Sequence, residues 1–171
     1  QAILVNLLEG NRPVKDKTTF QIPSSAETWK LLPAPAAESQ RELPSWVRAM
    51  AKSLPRTAAS MLELDFAQRT QSSLDPKWRA VVRHRIGVIH GCGFSQREAE
   101  FDFRRLGETR PIAEYADSLP KADAEQLKAV LAFADQLTRD GSKLADDAVE
   151  SLRKQLSNER LTALVHLTAF A

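Results

Sequence analysis

The chain holds one cysteine, Cys92, in the run Gly91-Cys92-Gly93-Phe94-Ser95. The glycines mark an elbow between two helical stretches, and a thiol at such a bend lies beside a helix N-terminus. There the positive end of the macrodipole favours thiolate, the nucleophilic form, and Arg97 nearby in sequence acts in the same direction. The competing reading is a small buried residue, since free cysteine is among the most buried types. His90 adjoins the elbow and is the nearest candidate proton donor. His84 lies six residues earlier, off that helix face, and reads as surface or interface; His166 reads as structural. Arg79 and Arg83, spaced i and i+4 before the elbow, form either an anion-binding pair or a solvated, salt-bridged face. Ser95 followed by Glu98 fits a capping box, and Tyr115, the single tyrosine, can bring a hydroxyl to a pocket. No His-x-x-x-His or Glu-x-x-His pair occurs, so neither a metal site nor a cofactor is expected.

The elements that must position these residues are helices. Asp75 followed by Pro76 reads as an N-cap with proline at the first helical position. The helix beyond it carries Trp78, Val81, Val82, Ile86 and Ile89 on one stripe, with Arg79 and Arg83 opposite. After the elbow a helix runs to Leu106, with Gly107 beyond it. A loop with Pro111 and Pro120 leads to a helix over 121–139, whose apolar residues are Leu127, Val130, Leu131, Ala134 and Leu137. Asp140-Gly141 predicts a turn, followed by a helix through Val149, Leu152 and Leu156. Ser157 predicts the cap of a last helix in which Leu161, Leu164, Val165 and Thr168 share a face. Upstream, Ser45 is expected to cap a short helix that stops at Pro55, and a second is expected over 57–68. No strand-like alternation follows residue 43, so the fold class is all-α.

Residues 1–43 differ. An apolar run over 3–8 ends at Gly10, and Pro13, Pro23, Pro33, Pro35 and Pro44 then punctuate the chain. This reads as an extended N-terminal arm over 1–43, followed by a helical domain over 44–171. Phe20, Ile22, Trp29, Leu31 and Leu32 suit an arm docked on its own domain or on a neighbouring subunit better than a disordered leader.

With 171 residues the chain suits one domain with a sizeable core plus a tail. Lys and Arg number 24 against 22 Asp and Glu, a balance that gives no electrostatic footprint for nucleic acid or a membrane surface. No apolar run approaches the roughly 20 residues that span a bilayer. One cysteine allows no internal disulfide; the compartment is not fixed, with the cytoplasm favoured. The chain starts at Gln1 without Met and stops at Ala171 inside an apolar helix, which reads as a trimmed fragment or an end covered by a partner.

The cadence RxxVxxRIGVIHGC, a cysteine in the elbow and a capped helix closing on RRLG resemble the carboxymuconolactone decarboxylase and alkylhydroperoxidase D superfamily. Downstream, LKAVLAFADQLTRDG and ADDAVESLRKQLSNERLTALVHLTAFA resemble that family's closing helices. Upstream, LPRTAASMLELDFAQRTQSSLDPKWRA is similar to the lead-in of its divergent members. The likeness covers about residues 43–171. It implies an alkylhydroperoxidase D-like helical domain and a homo-oligomer, trimer or hexamer. It also implies a peroxidase site built from a Cys-x-x-Cys pair, a Glu on the preceding helix and a His one turn beyond the second Cys. On this chain Cys92 takes the first cysteine position. Ser95 stands at the second, Ala99 at the histidine and Ala80 at the glutamate. Ser95 cannot close a disulfide to release product. Ala80 and Ala99 cannot carry protons.

Three functions follow as expectations. The first is one-cysteine redox activity through Cys92, reduced or lost relative to the family, with a sulfenic acid returned to thiol by an external thiol. The second is a non-catalytic oligomeric scaffold or small-ligand binder. The third is acid–base chemistry on a cyclic carboxylic acid using Arg83, His84 or His90.

Overall fold

A computed structural model describes residues 22–33 and 42–171. The expectations for 1–21 and 34–41, including the apolar run over 3–8, lie outside the described residues. The described residues are helical, with no strand among them. They divide into two compact units at Thr70 and Gln71.

In the first unit, α1 (Ser25–Trp29) falls inside the stretch expected to be extended. Its cause is legible in the residues: Ser24 and Glu27 form a capping box, the Ser24 hydroxyl accepting from the Glu27 amide while the Glu27 carboxylate accepts from the Ser24 amide at 2.9 Å. The Ser25 hydroxyl then donates to Glu42 at 2.7 Å and accepts from the Leu43 amide, and an Arg48 Nη1 donates to the Pro23 carbonyl. α2 (Ser45–Ala51) takes Pro44, not Ser45, as its N-cap and buries Trp46, Val47 and Ala51. Pro55 opens α3 (Pro55–Thr70) where it was expected only to end a helix; at the first turn its missing N–H costs nothing. α3 buries Ala58, Ala59 and Asp65 and leaves Leu64 and Phe66 exposed.

The second unit is built around α4 (Pro76–Ile89). Asp75 caps it as expected, its carboxylate accepting from the amides of Lys77 at 2.8 Å and Trp78 at 3.1 Å. It is followed by α5 (Gly93–Arg105), two 3-10 turns at Ile112–Glu114 and Ala116–Ser118, and the long α6 (Lys121–Asp140). A further 3-10 turn at Gly141–Lys143 leads to α7 (Asp146–Arg153) and α8 (Asn158–Phe170). The Ser157 hydroxyl caps α8 by accepting from the Arg160 amide. On α8, Leu167 is buried beside Leu164 and Thr168, while Val165, expected on that face, is exposed.

α4 has two buried faces. Val82 and Ile86 join Val130 and Phe133 of α6, Leu152 of α7 and Leu164 of α8 in one apolar cluster. Ala80 and Val81 join Ala99 and Phe103 of α5, Ile112, Tyr115 and Leu127 in a second. The side of α4 opposite its apolar stripe is therefore covered by α5 instead of facing water. Arg79 is buried too, which corrects its solvated-face reading. Six residues along, Arg85 makes a two-pronged pair with Asp135 of α6, its Nε donating at 2.8 Å.

Candidate functional site

The elbow is a tight helix-to-helix junction whose backbone geometry explains Gly91. His90 ends α4, Gly91 takes a left-handed φ of +62°, and the Cys92 amide donates back to the Gly87 carbonyl at 2.8 Å. With the Gly91 amide donating to the Val88 carbonyl at 3.1 Å, this is the Schellman pattern that closes a helix. Cys92 then starts the next helix at once, since its carbonyl accepts from the Gln96 amide at 3.2 Å. One residue closes α4 and caps α5. The capping-box expectation for Ser95 is thereby corrected: the N-cap is Cys92, and Ser95 sits in the first turn.

α5 can approach this closely because position 87 has no side chain. A Cβ there would stand 3.1 Å from the Gln96 Cγ and amide nitrogen and 3.2 Å from the Ser95 Cβ. The Gln96 side-chain amide also donates to the Gly87 carbonyl at 3.2 Å, pinning the two helices together. Gly87 and Gln96 were missed as site-shaping residues. Their signal was a glycine in the interior of an otherwise good helix.

The sulfur of Cys92 lies inside this junction and is fully buried. Its hydrogen-bond partner is the Ser95 hydroxyl, which donates to Sγ at 3.2 Å. Ala80 and Ala99 come together, on facing helices, within the cluster of Phe103, Tyr115 and Leu127, where both are buried. His90 is exposed at the end of α4, and its ring makes no hydrogen bond or ion pair with the described residues.

The other candidate residues bind neighbouring helices. Arg83 pairs with Asp102 of α5, Nη1 to Oδ2, at 3.1 Å. His84 stands 3.5 Å from Glu100 of the same helix. Burial lowers the His84 pKa, and the Glu100 carboxylate offsets part of that shift. Tyr115 packs edge-on against Phe103 with ring centroids 5.1 Å apart. Groups of three or more metal-ligating side chains are absent among the described residues, and no described helix is long and apolar enough to cross a membrane.

A crystal structure of an uncharacterised peroxidase-related protein from Silicibacter sp. TM1040 superimposes with a TM-score of 0.69, over 94% of this chain and 87% of that one. The fold is similar to that of a peroxidase-related protein. At 18% identity the likeness concerns the fold alone. No protein-family model matches the chain, and no curated protein does.

Proposed function

We propose that this chain is a divergent carboxymuconolactone decarboxylase or alkylhydroperoxidase D-like protein in which dithiol peroxide reduction is reduced or lost. The burial of Cys92 supports this reading best. A peroxidase thiolate must reach the O–O bond, take one oxygen as sulfenate and release the other as alcohol or water. A second thiol must then condense with the sulfenate. Here the sulfur is closed off and its neighbour at 3.2 Å is a hydroxyl. The proton-carrying positions are two buried alanines, which also weighs against acid–base chemistry on a cyclic acid. Arg83, a candidate for that chemistry, is paired with Asp102.

The test is the rate of iodoacetamide alkylation of Cys92 in the folded protein, beside peroxide consumption under excess dithiol. Alkylation much slower than for a free thiol, with peroxide loss at the background rate, is expected. Fast alkylation with peroxide-dependent sulfenylation removes the proposal and favours Cys92 and His90 as a one-cysteine site.

A non-catalytic role as an oligomeric scaffold or small-ligand binder is the accompanying reading. Val88, Phe101, Leu106 and Val165 are exposed apolar residues of the second unit, consistent with an assembling surface. Light scattering after size exclusion at micromolar protein tests this; a trimer or hexamer is expected, and a clean monomer removes it.

A further inference from the structure

At the end of α4 remote from the elbow, a cleft of about 290 Å³ opens among the starts of α4, α6 and α8. Its apolar wall is Leu74, Trp78 and Leu119, and its polar rim includes Asp123 of α6 and Arg160 of α8. Tyr115 lines it as well. We propose that this cleft binds a small zwitterion with an apolar body, of the chemical class of a free hydrophobic α-amino acid.

Three observations carry this. First, Tyr115 is 6% exposed, yet its hydroxyl makes no hydrogen bond to the described residues. The ring is buried while the hydroxyl stays accessible on the cleft, a ready donor or acceptor for a ligand. Its burial raises the pKa, which keeps the proton on the oxygen. Secondly, Asp123 and Arg160 face the same volume with opposite charges and pair neither with each other nor with another described residue. A molecule carrying both an ammonium and a carboxylate satisfies the two at once. Thirdly, the remaining polar groups are already engaged. Asp75 gives one carboxylate oxygen, Oδ1, to the Lys77 and Trp78 amides, and the Gln126 side-chain amide donates to the Gln155 carbonyl. The cleft therefore offers two acids, Asp123 and the helix-capping Asp75, with one base, one hydroxyl and an aromatic face. Its volume lies near the lower end of the usual range for small-molecule sites, of the order of 300 Å³.

The Arg160 guanidinium receives the carboxylate, Asp123 the ammonium, and Trp78 with Leu119 the side chain. This gives a ligand class to the small-ligand reading. Peroxide turnover and Cys92 alkylation play no part in its readout, so the elbow and the cleft are decided separately.

The experiment is calorimetric titration of the full chain with L-phenylalanine, L-leucine, phenylacetate and phenethylamine, each to about 10 mM, a range that reaches dissociation constants near 1 mM. Both amino acids are expected to bind, and each singly charged analogue to bind about tenfold more weakly, as expected when a hydrogen bond to a charged group is lost. Arg160→Ala and Tyr115→Phe are expected to weaken L-phenylalanine by about tenfold and a few-fold respectively. Circular dichroism melts show that each variant is folded. Absence of heat with either amino acid, equal affinity for phenylacetate, or unchanged binding in folded Arg160→Ala overturns the proposal.

Discussion

The two ends of α4 use polar groups in opposite ways. At the elbow the Ser95 hydroxyl, the Gln96 amide and the Arg83 guanidinium each have a protein partner, and the sulfur is enclosed. At the cleft, about 20 Å away by the rise of a 14-residue helix, a hydroxyl and two opposite charges have none. A polar group that packing has satisfied is already committed to the fold. One that faces an open volume without a partner has its interaction energy still available for a ligand. The conspicuous residue of the sequence, Cys92, thus belongs to the committed end, and the inconspicuous Tyr115 to the open one.

The sharpest way to break this comparison is to place an acid at position 80. Ala80→Glu places a carboxylate in a cluster with Phe103 and Leu127, while Arg83, the cation one turn along α4, is already paired with Asp102. Urea unfolding is expected to show a loss of about 3–5 kcal/mol, the cost of an uncompensated buried charge. A loss under about 1 kcal/mol, the range of a surface change, means that the position is open and the elbow can still be served by a proton carrier.

The glycines separate sterics from conformation. Gly87→Val drives a branched side chain against the Gln96 backbone nitrogen and is expected to cost about 2 kcal/mol as an overpacked contact. Gly91→Ala meets nothing within 4 Å and is expected to cost about 1 kcal/mol, from the left-handed φ alone. If the two are equal in thermal melts, the close approach of α5 is not what fixes the elbow. Ser95→Cys tests the junction chemically. Its volume change is small, so reduced stability should shift by less than about 1 kcal/mol. The sulfur–oxygen distance of 3.2 Å favours an internal disulfide under mild oxidation, counted as two lost thiols. Peroxide turnover is still expected at background, because Ala80 and Ala99 bring no protons; turnover there would return the elbow to the open class.

The helices of the second unit were legible because local signals and packing agree. Asp75-Pro76, Ser157 and the apolar spacing of α6 each name a boundary or a face that the fold uses. Ser95 misled because two patterns compete within four residues. The capping-box spacing is present, but the Schellman closure of α4 delivers Cys92 first, and the helix starts there. Arg79 misled for a different reason. A single helix's pattern shows which face is most apolar, not which of its polar residues the tertiary fold buries. In 22–33 the density of prolines outweighed a visible Ser24–Glu27 box, although a one-turn helix needs little more than its cap to form. The cleft was the least legible feature, because Trp78, Tyr115, Asp123 and Arg160 lie on four segments that only the tertiary fold brings together.

The smallest effect expected is a pH dependence centred on His84. Burial holds the His84 pKa below its ordinary value of 6.5, so the unfolded chain binds that proton more readily than the folded one. Stability is therefore undiminished above pH 6.5 and falls as the pH drops through 6.5 towards the folded pKa, by at most about 1.4 kcal/mol per unit. Below the folded pKa the penalty is constant. Glu108 adds a separate loss lower on the scale. Lys77, 2.7 Å away, keeps its pKa under 4.5, so its contribution is present above that value and disappears on further acidification. Urea titrations between pH 7.5 and 5.5 isolate the histidine. His84→Gln is expected to flatten the profile there. Glu100→Gln is expected to deepen it, because the carboxylate is what tempers the cost of protonating a half-buried imidazole. A profile unchanged by either substitution places the titrating group elsewhere and removes His84 from the groups that α5 has enclosed.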